Sequence, residues 1–145
     1  FRKNTAAVFM GFTQFAINIP AHSAGFDVTG SCKVSGSTPV TLLSVSPHAH
    51  TLARHMKFSV LKASGETVML HNADFQFEEQ QSYALPTPVV IGAGDTVFTT
   101  CTYDNTTDRA VTFGENTGNE MCFNFSSYYP MSALSCSGGF SGLGF

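Results

Sequence analysis

Several features that would point to common protein classes are absent from this sequence. It has no tryptophan, no CxxC pair and no apolar run near the ~20 residues that a membrane-spanning helix needs. Seven Lys and Arg oppose ten Asp and Glu, and the basic residues are scattered along the chain. A basic patch is the usual mark of a nucleic-acid-binding protein. The sequence therefore predicts no nucleic-acid partner, no zinc ribbon and no membrane span.

A period of two residues runs through most of the chain instead. Apolar and polar residues alternate in FDVTGSCKV, QFAINIP, TVFTTCTYD and MCFNFSSYY, while MKFSVLK–ASGE–TVMLH reads as a hairpin and DNTTD as a turn. No segment shows three turns of helical periodicity. About eight short strands predict an all-β fold, a two-sheet antiparallel β-sandwich of the jelly-roll type. We expect one domain over residues 1–136 and a Gly/Ser-rich tail over 137–145.

The cysteines and two sequons indicate an oxidising compartment. An even number of widely spaced cysteines favours two disulfides, although spacing alone leaves three pairings open. NTT at Asn105 and NFS at Asn124 are candidate glycosylation sites. Together these features predict a secreted protein, outside the cell or in the lumen of a secretory vesicle. The four cysteines are Cys32, Cys101, Cys122 and Cys136.

The stretch PHAHTLARHMKF holds three of the five histidines, and two of them form an H-x-H pair. In a strand, His48 and His50 would point to the same side of the sheet. They could cap turns or pack as neutral rings. They could equally hold a metal ion, because neutral imidazole is the commonest metal ligand.

Met121 lies beside Cys122 in a predicted strand, so the two side chains should point to opposite faces. Methionine in a strand is usually core filler. The residue chemistry alone therefore suggests His48 and His50 as ligands and does not select Met121.

The ordered segments HAHTLARHMKFSVLK and GDTVFTTCTYDNTTDRAVTFGENTGNEMCFNFSSYYP resemble the catalytic C-terminal half of the copper type II, ascorbate-dependent monooxygenases. This family includes dopamine β-hydroxylase, tyramine β-monooxygenase and peptidylglycine α-hydroxylating monooxygenase. The resemblance runs from about Phe15 to Cys136 and rests on H-x-H, C-T-Y, F-G, E-M-C and Y-Y-P occurring in this order.

The resemblance implies a ligand set and a disulfide pairing. His48, His50 and Met121 match the ligands of the oxygen-binding copper, one copper per chain. A soft thioether beside two imidazoles suits Cu(I). The family pattern also pairs Cys32 with Cys136 and Cys101 with Cys122. The second bond would anchor the strand that carries Met121.

The implied reaction is hydroxylation of an aliphatic carbon with dioxygen, with electrons that come from external ascorbate. In the family, a second copper on a separate N-terminal domain relays those electrons. The three remaining histidines do not form a second cluster in the sequence, and we expect them to be surface or structural residues. The implied partners are therefore dioxygen, a small-molecule substrate, and an N-terminal copper domain or partner chain. The three histidines are His22, His55 and His71.

The substrate is only partly indicated by the resemblance. The peptide-hydroxylating enzyme has an Arg where this chain has Ser46, and Asn and Tyr where it has Phe123 and Phe125, which disfavours a C-terminal peptide. Both phenylalanines alternate in phase with Met121 and predict an aromatic or apolar substrate pocket. We interpret Tyr103 as a packing residue. Glu120 could support the ligands or face solvent.

Two other functions compete with the enzyme. The chain could be a noncatalytic β-sandwich module for binding or assembly, derived from the same family. A copper-storage or electron-transfer protein is the third candidate, but a blue-copper site needs a Cys thiolate ligand. The predicted alternation turns Cys122 away from Met121, and the resemblance places it in a disulfide.

Overall fold

A computed structural model describes residues 17–131 in full and the backbone of residues 6–10 and 136–137. Eleven strands lie in these ranges, and the one helical segment among them is a 3₁₀ turn at Phe77–Glu79. The strands are β1 (Ala6–Met10), β2 (Asn18–Ile19), β3 (Ser23–Val34), β4 (Val40–Ala49), β5 (Ala53–Leu61), β6 (Thr67–Asp74), β7 (Tyr83–Ile91), β8 (Thr96–Asn105), β9 (Val111–Thr112), β10 (Cys122–Tyr129) and β11 (Cys136–Ser137).

Two antiparallel sheets form the domain. The first has the order β1-β10-β4-β7 and the second the order β11-β3-β8-β5-β6, while β2 and β9 form a separate short pair. Buried side chains of both sheets, such as Leu42 and Val45 from β4 and Phe58 and Val97 from β5 and β8, belong to one hydrophobic cluster. The predicted all-β, two-sheet architecture is confirmed. Its jelly-roll connectivity stays a prediction.

The predicted hairpin is β5 and β6. In its turn, the Gly65 N–H donates to the Lys62 carbonyl (2.9 Å) and the Lys62 N–H donates to the Glu66 carbonyl (2.8 Å). Gly65 has φ +92°, a conformation that disfavours residues with a side chain. The ASGE segment therefore forms the predicted turn, with glycine at the position that needs a positive φ.

Three parts of the structure differ from the sequence prediction. Strands β1 and β7 were not predicted. Within the described residues, the strand expected in QFAINIP is represented by β2, and residues 11–16 lie outside the described part of the chain. Strand β11 was not predicted either: its Ser137, assigned to the tail, pairs with Lys33 of β3. The remainder of the predicted tail, 138–145, also lies outside that part.

Strand β7 is an edge strand with an irregular middle. Ala84 of β7 pairs with Ser44 of β4, and Val89 pairs with Leu42. Between these two pairs β7 has four residues, whereas β4 has one. These four residues include Pro86 and Pro88. Proline cannot donate a ladder hydrogen bond and is confined to edges and bulges, which explains why the sequence YALPTPVVI does not read as a strand.

One disulfide is present among the residues whose side chains are described. Cys101 of β8 is bonded to Cys122 of β10 and so links the two sheets. This confirms one of the two predicted pairings. The other, Cys32 with Cys136, stays a prediction because the side chain of Cys136 is outside the described residues; its backbone pairs with Val34, two residues from Cys32.

No helix in the described part of the chain is long and apolar enough to span a bilayer.

A buried carboxylate ties together three chain segments at one end of the sandwich. Asp95 is 4% exposed, and its side chain accepts hydrogen bonds from the Lys62 ammonium, Ala63 N–H (2.8 Å) and Gly92 N–H (3.0 Å). Its carbonyl also accepts the Val34 N–H (2.8 Å). Burial by itself raises the pKa of the Asp95 carboxyl, but these donors outweigh it and the pKa lies below its ordinary value.

We expect Asp95→Asn to lower the free energy of unfolding by about 2 kcal/mol at pH 7, because charged hydrogen bonds to partly buried donors are lost. A carboxyl with a lowered pKa stabilises the fold above its unfolded pKa of about 3.9, and this stabilisation is lost as the pH falls through the folded pKa. The difference between wild type and variant should therefore shrink below about pH 4. Urea denaturation from pH 7 to pH 3 measures it.

Asp27→Asn is the control, because Asp27 is exposed and its carboxylate accepts one surface hydrogen bond from Thr102. Its unfolding free energy should change by less than about 0.5 kcal/mol. An Asp95→Asn variant as stable as this control would contradict the role given to Asp95.

Candidate metal site

The segments that carry the predicted metal ligands lie side by side where β4 ends and β10 begins. His48 is near the end of β4, His50 follows the strand, and Met121 immediately precedes β10. In the antiparallel pairing, Phe123 is opposite His48 and Cys122 is opposite Ala49. The same register, continued by one residue, places Met121 opposite His50, and residues opposite each other share a face of the sheet.

The predicted opposite orientation of Met121 and Cys122 follows from this register. Cys122 is fully buried and bonded to Cys101 of the other sheet, so its side chain faces the core. Successive residues alternate between the faces of a sheet. Met121 therefore belongs to the outer face, which also carries His48.

Hydrogen bonds fix the tautomer of His48. Its Nδ1 lies 2.7 Å from Oε1 of Gln80, and the other end of that amide, Nε2, lies 3.0 Å from the Phe77 carbonyl. A carbonyl can only accept, so the Gln80 amide group donates there and its oxygen accepts from the ring. His48 therefore carries its proton on Nδ1, which leaves a lone pair on Nε2.

His50 has the same tautomer for a different reason. Its Nδ1 lies 2.9 Å from the backbone carbonyl of Asn119 and must donate to it. The ring is largely buried, with 5% of the residue exposed, and its centroid lies 5.6 Å from that of His48 at 87° between the ring planes. Both imidazoles thus offer Nε2, and a hydrogen bond on the opposite nitrogen is the usual arrangement for metal-binding histidines.

The pKa of His48 lies below its ordinary value. Burial is the main cause; the hydrogen bond to Gln80 opposes it and the neighbouring His50 adds to it. A lowered pKa keeps the ring neutral at pH 7, which is the form that binds a metal ion.

Glu120 is the buried residue that joins the segments that carry the predicted ligands. It is 0% exposed, and its carboxylate accepts the N–H groups of His50 (2.9 Å) and Leu52 (2.7 Å) and also that of Met121. Burial raises the pKa of this carboxyl, and the three backbone donors oppose the rise. The alternative that Glu120 faces solvent is wrong.

Tyr103 does more than pack. It is fully buried in β8, and its hydroxyl donates a 2.7 Å hydrogen bond to the carbonyl of Met121. Burial, together with the charge of Glu120, raises the pKa of Tyr103 far above its ordinary value, so the phenol keeps its proton. The backbone of Met121 is therefore held from both sides, at its N–H by Glu120 and at its carbonyl by Tyr103.

Phe123 and Phe125 lie beside His48, as the alternation predicted. The Phe123 ring is stacked on His48 at 6.1 Å and 11°, and the Phe125 ring meets it edge-on at 5.9 Å and 74°. Phe123 is only 8% exposed and contacts Phe113 at 6.2 Å. Phe125 instead lines an open depression of about 280 Å³ next to His48. The open aromatic surface is therefore that of Phe125.

The depression has no charged side chain in its lining. Beside His48 and Phe125 it is formed by Ser46, Pro47, Gln80, Gln81 and Ser82.

The other three histidines lie elsewhere, as expected. His22 pairs with Asp108 on the surface, and His55 contacts Asp74 (3.0 Å) and Asn72 (2.9 Å) across the β5–β6 hairpin. His71 stacks on Phe58 at 5.3 Å. Within residues 17–131, no three His, Cys, Asp or Glu side chains come close enough to hold a metal ion. A metal held by His48 and His50 thus needs a ligand of another kind.

The two sequon asparagines do not fit the predicted glycosylation. Asn105 is 1% exposed, and its Nδ2 lies within hydrogen-bond distance of the carbonyls of Ile19, Pro20 and Arg109. Asn124 is 0% exposed in the middle of β10. A glycan needs the amide nitrogen at the surface, and in this fold neither nitrogen is there.

Sequence reasoning missed Gln80 and Asn119 and left Glu120 undecided. Gln80 is 32 residues from His48 along the chain, and Asn119 contacts His50 only through its backbone. No local pattern marks such partners. The E-M-C segment did mark Glu120, because it is adjacent to Met121.

An all-β domain with two imidazole rings close together at the end of one strand offers nitrogen donors of the kind that hold transition metals. Comparison with known proteins agrees. Residues 4–139 match the family model described as copper type II ascorbate-dependent monooxygenase, C-terminal domain, and the chain belongs to that family.

Relatives with this similarity come from several animals. The chain is 31% identical over 141 residues to mouse DBH-like monooxygenase protein 2, covering 89% of this chain and 23% of the relative. It is 30% identical over 125 residues to dog dopamine beta-hydroxylase, covering 80% of this chain and 20% of the relative. It is 27% identical over 143 residues to human putative DBH-like monooxygenase protein 2, covering 91% of this chain and 29% of the relative. The chain thus spans only about a quarter of the length of these relatives.

We expect Tyr103→Phe to lower the free energy of unfolding by about 1 kcal/mol, because the carbonyl of Met121 loses its hydroxyl donor. The methyl resonance of Met121 in an NMR spectrum should shift, since its backbone is no longer held on that side. Chemical denaturation and methyl spectra of the same samples measure both effects.

Tyr83→Phe is the matched control, since Tyr83 is 39% exposed and its hydroxyl accepts one 3.3 Å hydrogen bond from Gln81. It should leave the Met121 resonance in place. The role of Tyr103 would be refuted by a Tyr103→Phe variant with an unmoved Met121 resonance.

Proposed function

We propose that this chain is the oxygen-activating copper domain of an ascorbate-dependent monooxygenase, with one copper held by His48, His50 and Met121. The observation that carries the proposal is the pair of Nδ1-protonated imidazoles at the end of β4, next to the start of β10 where Met121 lies. Two neutral imidazoles and a thioether form a soft, uncharged donor set that suits Cu(I). Membership of the copper monooxygenase family supports the assignment.

The residues present fit a bound copper ion. Each imidazole keeps a lone pair on Nε2, and the backbones around His50 and Met121 are fixed by the buried Glu120 and Tyr103. Such outer hydrogen bonds orient metal ligands and limit their movement. Copper bound there would supply the redox chemistry that activates dioxygen for hydroxylation of an aliphatic carbon.

The depression beside His48 supports a small substrate with an aromatic or apolar part. Phe125 offers an aromatic surface there, and its edge-on contact with His48 places this surface next to the proposed ligand. Pro47 adds apolar surface, while Ser46 and Ser82 provide hydroxyl groups for orientation. Phe123 is stacked on the His48 ring and has little exposed surface left for a substrate.

Electrons must reach this site from elsewhere. The other histidines are dispersed over the described part of the domain, and the chain covers about a quarter of the relatives it matches. We therefore propose that an N-terminal copper domain or a partner chain relays electrons from ascorbate. The Cys101–Cys122 disulfide supports a secretory location, since such bonds persist in oxidising compartments.

X-ray absorption spectroscopy of the copper-loaded, ascorbate-reduced chain tests the ligand set, with metal content measured on the same sample. We expect one copper per chain with nitrogen scattering and one sulfur shell. Met121→Ala should lose the sulfur shell because the thioether is removed. His48→Ala and His50→Ala should each bind less than one copper per chain.

Met69→Ala is the control, because Met69 is 51% exposed on β6. This variant should keep both the nitrogen scattering and the sulfur shell. Absence of stoichiometric copper in the wild type, or a sulfur shell that survives in Met121→Ala, would reject the proposed site and favour a binding or assembly module.

A further inference from the structure

We propose that Gln80 is the positioning residue for His48, and that it holds the ring in the tautomer whose Nε2 is available to the copper. This deepens the proposed function and rests on it for the part that concerns copper. Gln80 acts on the copper through the far nitrogen of the ring, and it also lines the depression beside His48.

The direction of the hydrogen bond follows from the whole amide group. Gln80 Nε2 donates to the Phe77 carbonyl at 3.0 Å, which leaves Oε1 to face His48 Nδ1 at 2.7 Å. A reversed amide would put Oε1 against the Phe77 carbonyl, and two acceptors cannot form a hydrogen bond. The arrangement satisfies both contacts only when His48 donates from Nδ1.

The segment that carries Gln80 is anchored in the protein. Phe75 is 8% exposed and belongs to the core cluster, and the Phe77 ring lies 6.1 Å from His50 at 85°. The Glu79 N–H closes the 3₁₀ turn on the Gln76 carbonyl at 3.1 Å. Gln80 thus reaches His48 from a backbone that is fixed on both the core side and the His50 side.

The two histidines differ in how their tautomers are fixed. His50 donates to the Asn119 backbone carbonyl, which no side-chain substitution removes, whereas His48 donates to a side chain. Only His48 can therefore lose its Nδ1 partner through a single substitution. Since Gln80 is exposed, replacing it leaves the core unchanged, and His50 serves as an internal reference in every variant.

The test is long-range ¹H–¹⁵N NMR of the metal-free full chain at a pH where both rings are neutral, which distinguishes Nδ1–H from Nε2–H in each histidine. Wild type should show Nδ1–H in His48 and His50. Gln80→Leu should lose the Nδ1–H pattern of His48 only. The Gln80→Glu variant keeps an accepting oxygen and should therefore retain the Nδ1–H pattern of His48.

Cu(I) affinity is measured on the same proteins by competition with a chromogenic Cu(I) chelator. Gln80→Leu should bind Cu(I) about 10- to 100-fold more weakly, the usual effect of losing an outer partner of a metal-binding histidine. Gln76→Leu is the matched control on the same segment, because the Nδ1 partners of the two rings are Gln80 and Asn119. It should match wild type in both measurements.

The outcomes separate this proposal from the copper function. The role of Gln80 is overturned if wild-type His48 carries Nε2–H, if Gln80→Leu keeps the wild-type pattern, or if Cu(I) affinity is unchanged while the tautomer is lost. If the tautomer of His48 responds as expected but wild type binds no Cu(I), Gln80 does position His48 and the proposed copper function fails.

Discussion

The antiparallel register between β4 and β10 is the constraint on which the candidate site depends. With Phe123 opposite His48 and Cys122 opposite Ala49, the strands place the histidines and the aromatic rings on one face and the disulfide on the other. A shift by one residue would exchange these faces and turn Cys122 away from Cys101. The Cys101–Cys122 bond therefore restricts both the register and the orientation of the segment that begins at Met121.

A second level of organisation lies beneath the proposed ligands, where the carboxyl group of Glu120 is buried among backbone donors. The charge of the Glu120 carboxylate is offset by backbone N–H groups from two segments. His50 and Leu52 donate from the segment after β4, and Met121 donates from the segment before β10. Burying an ionised group is costly unless its hydrogen bonds are complete. The arrangement makes the two segments depend on each other, because displacing either one leaves the carboxylate with an unsatisfied oxygen.

The sequence predicted those parts of the site that depend on local alternation. Period-two patterning was sufficient to separate Met121 from Cys122 and to place Phe123 and Phe125 together, because neighbouring side chains in a strand must alternate. The prediction that Met121 is a ligand required the family resemblance. Gln80 and Asn119 could not be predicted, since they approach the histidines from 32 and 69 residues away. Burial of Asn105 and Asn124 was equally hidden, because a sequon carries no information about exposure.

The prolines of β7 have a consequence for the behaviour of this sheet towards other chains. An edge strand usually presents free N–H and C=O groups that can recruit a strand from another molecule. Pro86 and Pro88 lie in the irregular stretch between Ala84 and Val89 and interrupt that row of donors. Edge-to-edge pairing with another chain is thereby discouraged along this part of β7, the strand next to β4.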